Sequence, residues 1–89
     1  MESETPIESA RNIGPICGSE LRAIGIATVG ELRRLGWEEA FSRWVRRFPE
    51  RLNQNAARAL IGAVEDCDWL AVPESLRAEA RTLIRSLKG

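Results

Sequence analysis

Residues 12–36 read NIGPICGSELRAIGIATVGELRRLG. ELRAIGI at 20–26 is echoed by ELRRLGW at 31–37, which ends one residue beyond this stretch. The interval is too short for a solenoid repeat. It reads instead as two consecutive short helices that end by the same rule. Pro15 cannot continue a helix but can begin one, so Gly14 becomes a cap and Pro15 a first helical residue. Cys17, Leu21 and Ile24 then fall at i, i+4 and i+7 and form an apolar stripe. Gly25 follows as a C-terminal stop. Gly18, inside this helix, costs about 1 kcal/mol relative to Ala, which implies either close approach of another backbone or simple tolerance. Thr28 caps the next helix, with Glu31 three residues on to complete a capping box. Val29, Leu32 and Leu35 face the core, and Gly36 ends the helix.

On the N-terminal side, Thr5, Pro6 and Glu8 have the spacing of a capped helix start, predicting a short helix to about Arg11. On the C-terminal side the pattern is strongly amphipathic. Trp37, Ala40, Phe41, Trp44, Val45 and Phe48 follow helical periodicity, with Glu38 and Glu39 at the start and Arg43, Arg46 and Arg47 near the end, as the helix dipole favours. Pro49 ends this helix. The next begins at Asn53 or Gln54 and is apolar on most of its surface, with Arg58, Gly62 and Glu65 marking a polar strip, so it is expected to lie centrally. Residues 66–69 form a connection in which Trp69 is expected to plug the edge of the core. A last helix starts at Pro73, with Leu76, Ala80, Leu83, Ile84 and Leu87 inward. No segment alternates convincingly with period two. The expected fold is all-α: one domain of five or six short helices, residues 6–89, behind a flexible acidic tail of residues 1–5.

With 89 residues and 44% hydrophobic content the chain can bury one core without staples. Lysines and arginines number 13, as do aspartates and glutamates, so global charge lends no support to a nucleic-acid or anionic membrane partner. The distribution is uneven: Glu2, Glu4 and Glu8 open the chain, and Arg77, Arg81, Arg85 and Lys88 close it. Cys17 and Cys67 are far apart and lack the spacing of a zinc site or disulfide framework, so they read as small reduced core residues. No apolar run approaches the ~20 residues that span a bilayer. MESETPIESA has neither the basic nor the apolar region of a secretory signal, so a cytoplasmic location is expected.

The order and spacing of Asn12, Ile13, Gly14 and Pro15, of Gly25, Ile26, Thr28, Glu31, Leu32 and Gly36, and of Asn55, the alanine-rich helix and Trp69 resemble the C-terminal domain of TfoX (Sxy) proteins, regulators of bacterial competence. The likeness runs from about Ile7 to the end, through RLNQNAARALIGAVEDCDW and VPESLRAEARTLIRSL. It implies a helix-hairpin-helix-like fold and a regulatory role exerted through DNA or a DNA-bound partner. Relatives often carry a base directly after the Gly-Pro; this chain has Ile16.

Three features bear on chemistry. The corner at residues 12–16 could grip a phosphate through the free amides of a helix start, with Arg11 as the nearby base and Ile13, Gly14 and Ile16 contributing backbone. Pro15 removes one donor, however, and Ile16 adds no charge, so the favoured alternative is a packing turn with Ile13 buried. The stripe Arg77, Arg81, Arg85 and Lys88 sets like charges at i, i+4, only partly offset by Glu74 and Glu79. It is either an acidic partner's footprint or a solvated face favoured by the dipole. Arg43, Arg46, Arg47 and Arg51 read as a second, solvated cluster. Catalysis finds no support. There is no histidine, Cys67 lies between Asp66 and Asp68, whose charge opposes a thiolate, and no serine or cysteine has an identifiable base. No cofactor, metal, membrane or small-molecule substrate is expected. The reading is a non-catalytic regulatory module that binds DNA weakly or a DNA-associated protein. The alternative is a protein–protein module, self-associating or not, whose corner is purely structural. If Arg11 and the corner share a face with the last helix, nucleic acid gains; if they lie apart, a protein partner gains.

Overall fold

A computed structural model describes residues 4–89. Among these residues the chain forms five α-helices: α1 (Pro15–Ala23), α2 (Val29–Leu35), α3 (Trp37–Arg47), α4 (Gln54–Glu65) and α5 (Glu74–Lys88). Short 3-10 turns at Ile7–Ser9, Pro49–Arg51 and Trp69–Ala71 link them. The domain is all-α; its β-structure among the described residues is an isolated antiparallel bridge between Pro6 and Thr28. Of the acidic tail expected over residues 1–5, residues 1–3 lie outside the described residues.

The α1–α2 hairpin follows from its glycine. Gly25 sits at φ 91°, a conformation that a side chain strains. That turn lets the Ile26 amide donate to the Leu21 carbonyl at 2.9 Å and the Gly25 amide to the Arg22 carbonyl at 3.0 Å, a Schellman pairing. Ile26 and Leu21, the apolar positions of this motif, are both buried. Thr28 then starts α2 with a complete capping box. Gly36, at φ 87°, both ends α2 and precedes α3.

Around this hairpin the core assembles on α4, which packs against α2, α3, α5 and the 69–71 turn. Its Ala56, Ala57, Leu60, Ile61, Gly62 and Ala63 are buried, and the alanines allow close neighbours. Trp37, Phe41 and Trp44 of α3 are buried with them, each large side chain contributing about 1.5–3 kcal/mol by leaving water. By contrast α5 is peripheral. Only Ala80 is fully buried on it, while Leu76, Leu83, Ile84 and Leu87 are half-buried against the core.

Five local readings need correction. Residues 7–9 form a 3-10 turn rather than an α-helix, and the Thr5–Glu8 capping box is not made. The segment is drawn out of helix by the hairpin instead: the Ile7 amide donates to Ala27 and the Val29 amide to Thr5. Glu8 turns away to pair with Arg22. Gly62 lies in the buried face of α4, not on a polar strip. Trp69 is only half-buried and stands outside the core; Val72, 1% exposed, is the residue of that connection that enters it. Arg51 is not solvated: it is paired with Glu20 and partly buried. The last helix begins at Glu74, with Pro73 in the cap position.

Candidate functional site

The corner at residues 12–16 is built from Asn12. This residue adopts φ 71°, which Asn tolerates better than most. Its side chain reaches across the fold, donating to the Cys67 carbonyl at 2.9 Å and accepting from the Trp69 amide at 3.1 Å. Gly62 makes this possible, since a Cβ there would lie 2.3 Å from Asn12 Nδ2 and 2.5 Å from the Cys67 carbonyl oxygen. Ile13 is 6% exposed and part of the core. Gly14 caps α1 in extended backbone with open space around it. Ile16 is 70% exposed, placing an apolar side chain in solvent where a phosphate grip would use a base. Arg11 is exposed and lines a cleft of about 140 Å³ whose walls include Arg33, Ala63 and Asp66.

The second helix start of the hairpin, at Thr28, has the amide-rich geometry that binds anions, but the anion there is internal. Glu31 Oε1 accepts from the Ala27 amide at 2.7 Å and the Thr28 amide at 3.1 Å. The Glu31 amide donates to Thr28 Oγ1, and the Val29 amide to the Thr5 carbonyl. The Ala27 amide above all, with that of Thr28, holds the Glu31 carboxyl below the ordinary carboxylate range. A phosphate would have to displace this carboxylate and the chain at Thr5.

The basic stripe divides. Glu74 pairs with Arg81 and faces Arg77 Nε at 3.8 Å, beyond hydrogen bonding. Arg81 is the main cause of the low Glu74 carboxyl pKa. Gln54 holds the Arg77 carbonyl at 3.2 Å. Arg85 and Lys88 are exposed and make no ion pair among the described residues. With Arg81 they line a groove of about 440 Å³ against Leu52, Ile84 and the start of α4. The groove therefore adjoins the N-terminal end of α4, whereas Arg11 and Asn12 adjoin its C-terminal end at Ala63, Asp66 and Gly62. Nine residues of helix, about 14 Å, separate Gln54 from Ala63. Arg11 and the stripe are not brought together.

The Asn12–Trp69 hydrogen bond ties together the two outer signature positions of the resemblance, and the capping box and glycine turns account for Gly25, Ile26, Thr28, Glu31 and Gly36 between them. The TfoX C-terminal domain model matches residues 3–83. The chain belongs to the TfoX C-terminal domain family. The crystal structure of an uncharacterized protein from Listeria monocytogenes is similar to this TfoX C-terminal domain, with 29% identity, a TM-score of 0.88 and 96% of each chain covered. No curated protein matches the chain.

Two features of this TfoX C-terminal domain escaped sequence reasoning. One is the cluster in which Glu20 accepts from Trp44 Nε1 at 2.8 Å and takes both Arg51 Nε and a second guanidinium nitrogen at 2.8 Å. Arg51 also lies over the Trp44 ring, 5.4 Å from its centroid. Arg51 first, and Trp44 next among hydrogen-bond donors, hold the Glu20 carboxyl below its usual range. These residues are 24 and 31 positions apart from Glu20, so no local pattern announces them. The other is the apolar floor of the basic groove, Leu52 and Ile84. Leu52 lies outside every helical stripe, and Ile84 reads as ordinary core. No helix among the described residues is long and apolar enough to cross a membrane.

Proposed function

We propose that this TfoX C-terminal domain is a non-catalytic regulatory module that acts by docking onto a protein partner, in a cytoplasmic setting. The observation that carries this reading is the separation of the basic features. Arg11 sits at one end of α4 and Arg81, Arg85 and Lys88 at the other, in clefts that share no lining residue, which argues against a single basic stripe joining the corner, with Ile13, Gly14 and Ile16, to the last helix. The inward use of the hairpin amides by Glu31 and Thr5 supports the same view. Membership of a family of regulatory type agrees with it.

A second reading, weak DNA binding by the stripe alone, draws on the unpaired Arg85 and Lys88. Fluorescence anisotropy of a labelled duplex, titrated with the domain at two salt concentrations, separates the two. The protein-docking reading expects no saturable binding at high micromolar protein and low salt. Binding that saturates and weakens steeply with salt would instead report phosphate neutralisation and transfer the function to DNA.

A further inference from the structure

We infer that the groove between the start of α4 and the C-terminal half of α5 is the docking site, and that it takes an acidic segment of a partner protein anchored by one apolar side chain. The inference rests on the protein-docking reading above and names its surface and chemistry. The groove holds about 440 Å³ and has an apolar floor, Leu52 and Ile84, half-buried against the core. Its rim carries Arg81, Arg85 and Lys88 and no acid. Glu74 neutralises Arg81 from outside the groove, which leaves Arg85 and Lys88 with no counter-charge. Two uncompensated cations beside an apolar floor are complementary to a carboxylate-bearing segment with a single inserted Leu, Ile or Phe. The opposite flank of α5 makes a groove of about 460 Å³ with Trp37, whose charged rim is acidic, Glu38 and Glu79. A ligand that fits the first is repelled by the second, so the helix presents one orientation to such a partner.

The test uses the full chain and a labelled peptide in which one Leu is flanked by Asp and Glu, read by anisotropy at low salt. Saturable binding is expected. Arg85→Glu with Lys88→Glu should weaken it at least about tenfold, since like charges then face one another. Arg34→Glu with Arg46→Glu, exposed positions away from the groove, make the same change in net charge and should leave affinity within about threefold. Circular dichroism confirms that each variant folds. Absence of peptide binding, or equal losses in both double variants, would overturn the groove assignment while leaving the protein-docking reading standing. Saturable duplex binding lost in the groove variant alone would overturn both. Concentration-dependent sedimentation abolished by the groove substitutions would seat a second copy there and overturn the acidic-segment assignment.

Discussion

Asn12 combines a left-handed backbone with a side chain that bonds Cys67 and Trp69. Asn12→Ala removes two hydrogen bonds, each worth about 1 kcal/mol, and puts a Cβ without compensation at positive φ, a further ~1 kcal/mol. A loss of about 2–3 kcal/mol is expected in urea denaturation, with Asn12→Gly falling between Ala and the native residue. Gly62→Ala should cost about 1–3 kcal/mol or more by overpacking against that same contact. Gly14→Ala should be nearly neutral, because nothing lies within 4 Å of its Cβ position. This contrast says why the signature told so much of the fold. Asn12, Gly25, Thr28, Glu31 and Gly36 are recognisable because turns and caps favour those residue types, and each serves structure. Glu20 was silent: it is one carboxylate among many until the fold brings Arg51 and Trp44 to it. Its carboxyl is held below the ordinary value of 4.5 by Arg51. The unfolded chain therefore takes up this proton at higher pH than the native state does. The stabilisation is complete above 4.5 and is lost as pH falls through the native value. Urea midpoints from about pH 6 to about pH 3 should fall, and Glu20→Gln, costing about 1–3 kcal/mol at neutral pH, should flatten part of that fall.

The α1–α2 hairpin is the most locally determined element of the domain. Gly25 ends one helix, Thr28 and Glu31 begin the next, and both signals read correctly without tertiary information. Thr28→Ala should lower stability by about 1 kcal/mol through loss of the cap, again by denaturant titration, and should free the Glu31 amide. The N-terminal segment is the opposite case. Thr5, Pro6 and Glu8 carry a helix-start pattern, yet the Ile7 amide donates to Ala27, the Val29 amide donates to Thr5 and Glu8 is taken by Arg22. Tertiary pairing outweighed a weak local preference in a stretch too short to nucleate a helix. The close fit of Gly18 against Glu8, whose Cα would lie 2.9 Å from an added Cβ, resolves the glycine inside α1 in favour of close approach. In α4 the apolar surface was read correctly as central, but Gly62 was not, because its neighbour Asn12 lies 50 residues earlier in the chain.

Across the molecule, 13 bases and 13 acids cancel, so what matters is where they lie. That geometry could not be read from spacing. The stripe on α5 was visible as a stripe, with Glu74 as a partial offset within the same helix, but its distance from Arg11 depends on how α4 and α5 pack. The functional reading turns on that distance and on the inward use of the turn amides. It is most directly tested by following backbone amide signals of the isotope-labelled domain during titration with a short DNA duplex at low salt. The amides of Ala27 and Thr28 are expected to stay within the shifts that salt alone produces, since Glu31 already occupies that helix start, and those of Ile16 and Cys17 with them, since the exposed Ile16 offers a phosphate no charge. Saturable, salt-sensitive shifts of those amides together with those of Arg81 and Arg85 would contradict the account and place DNA across both ends of α4.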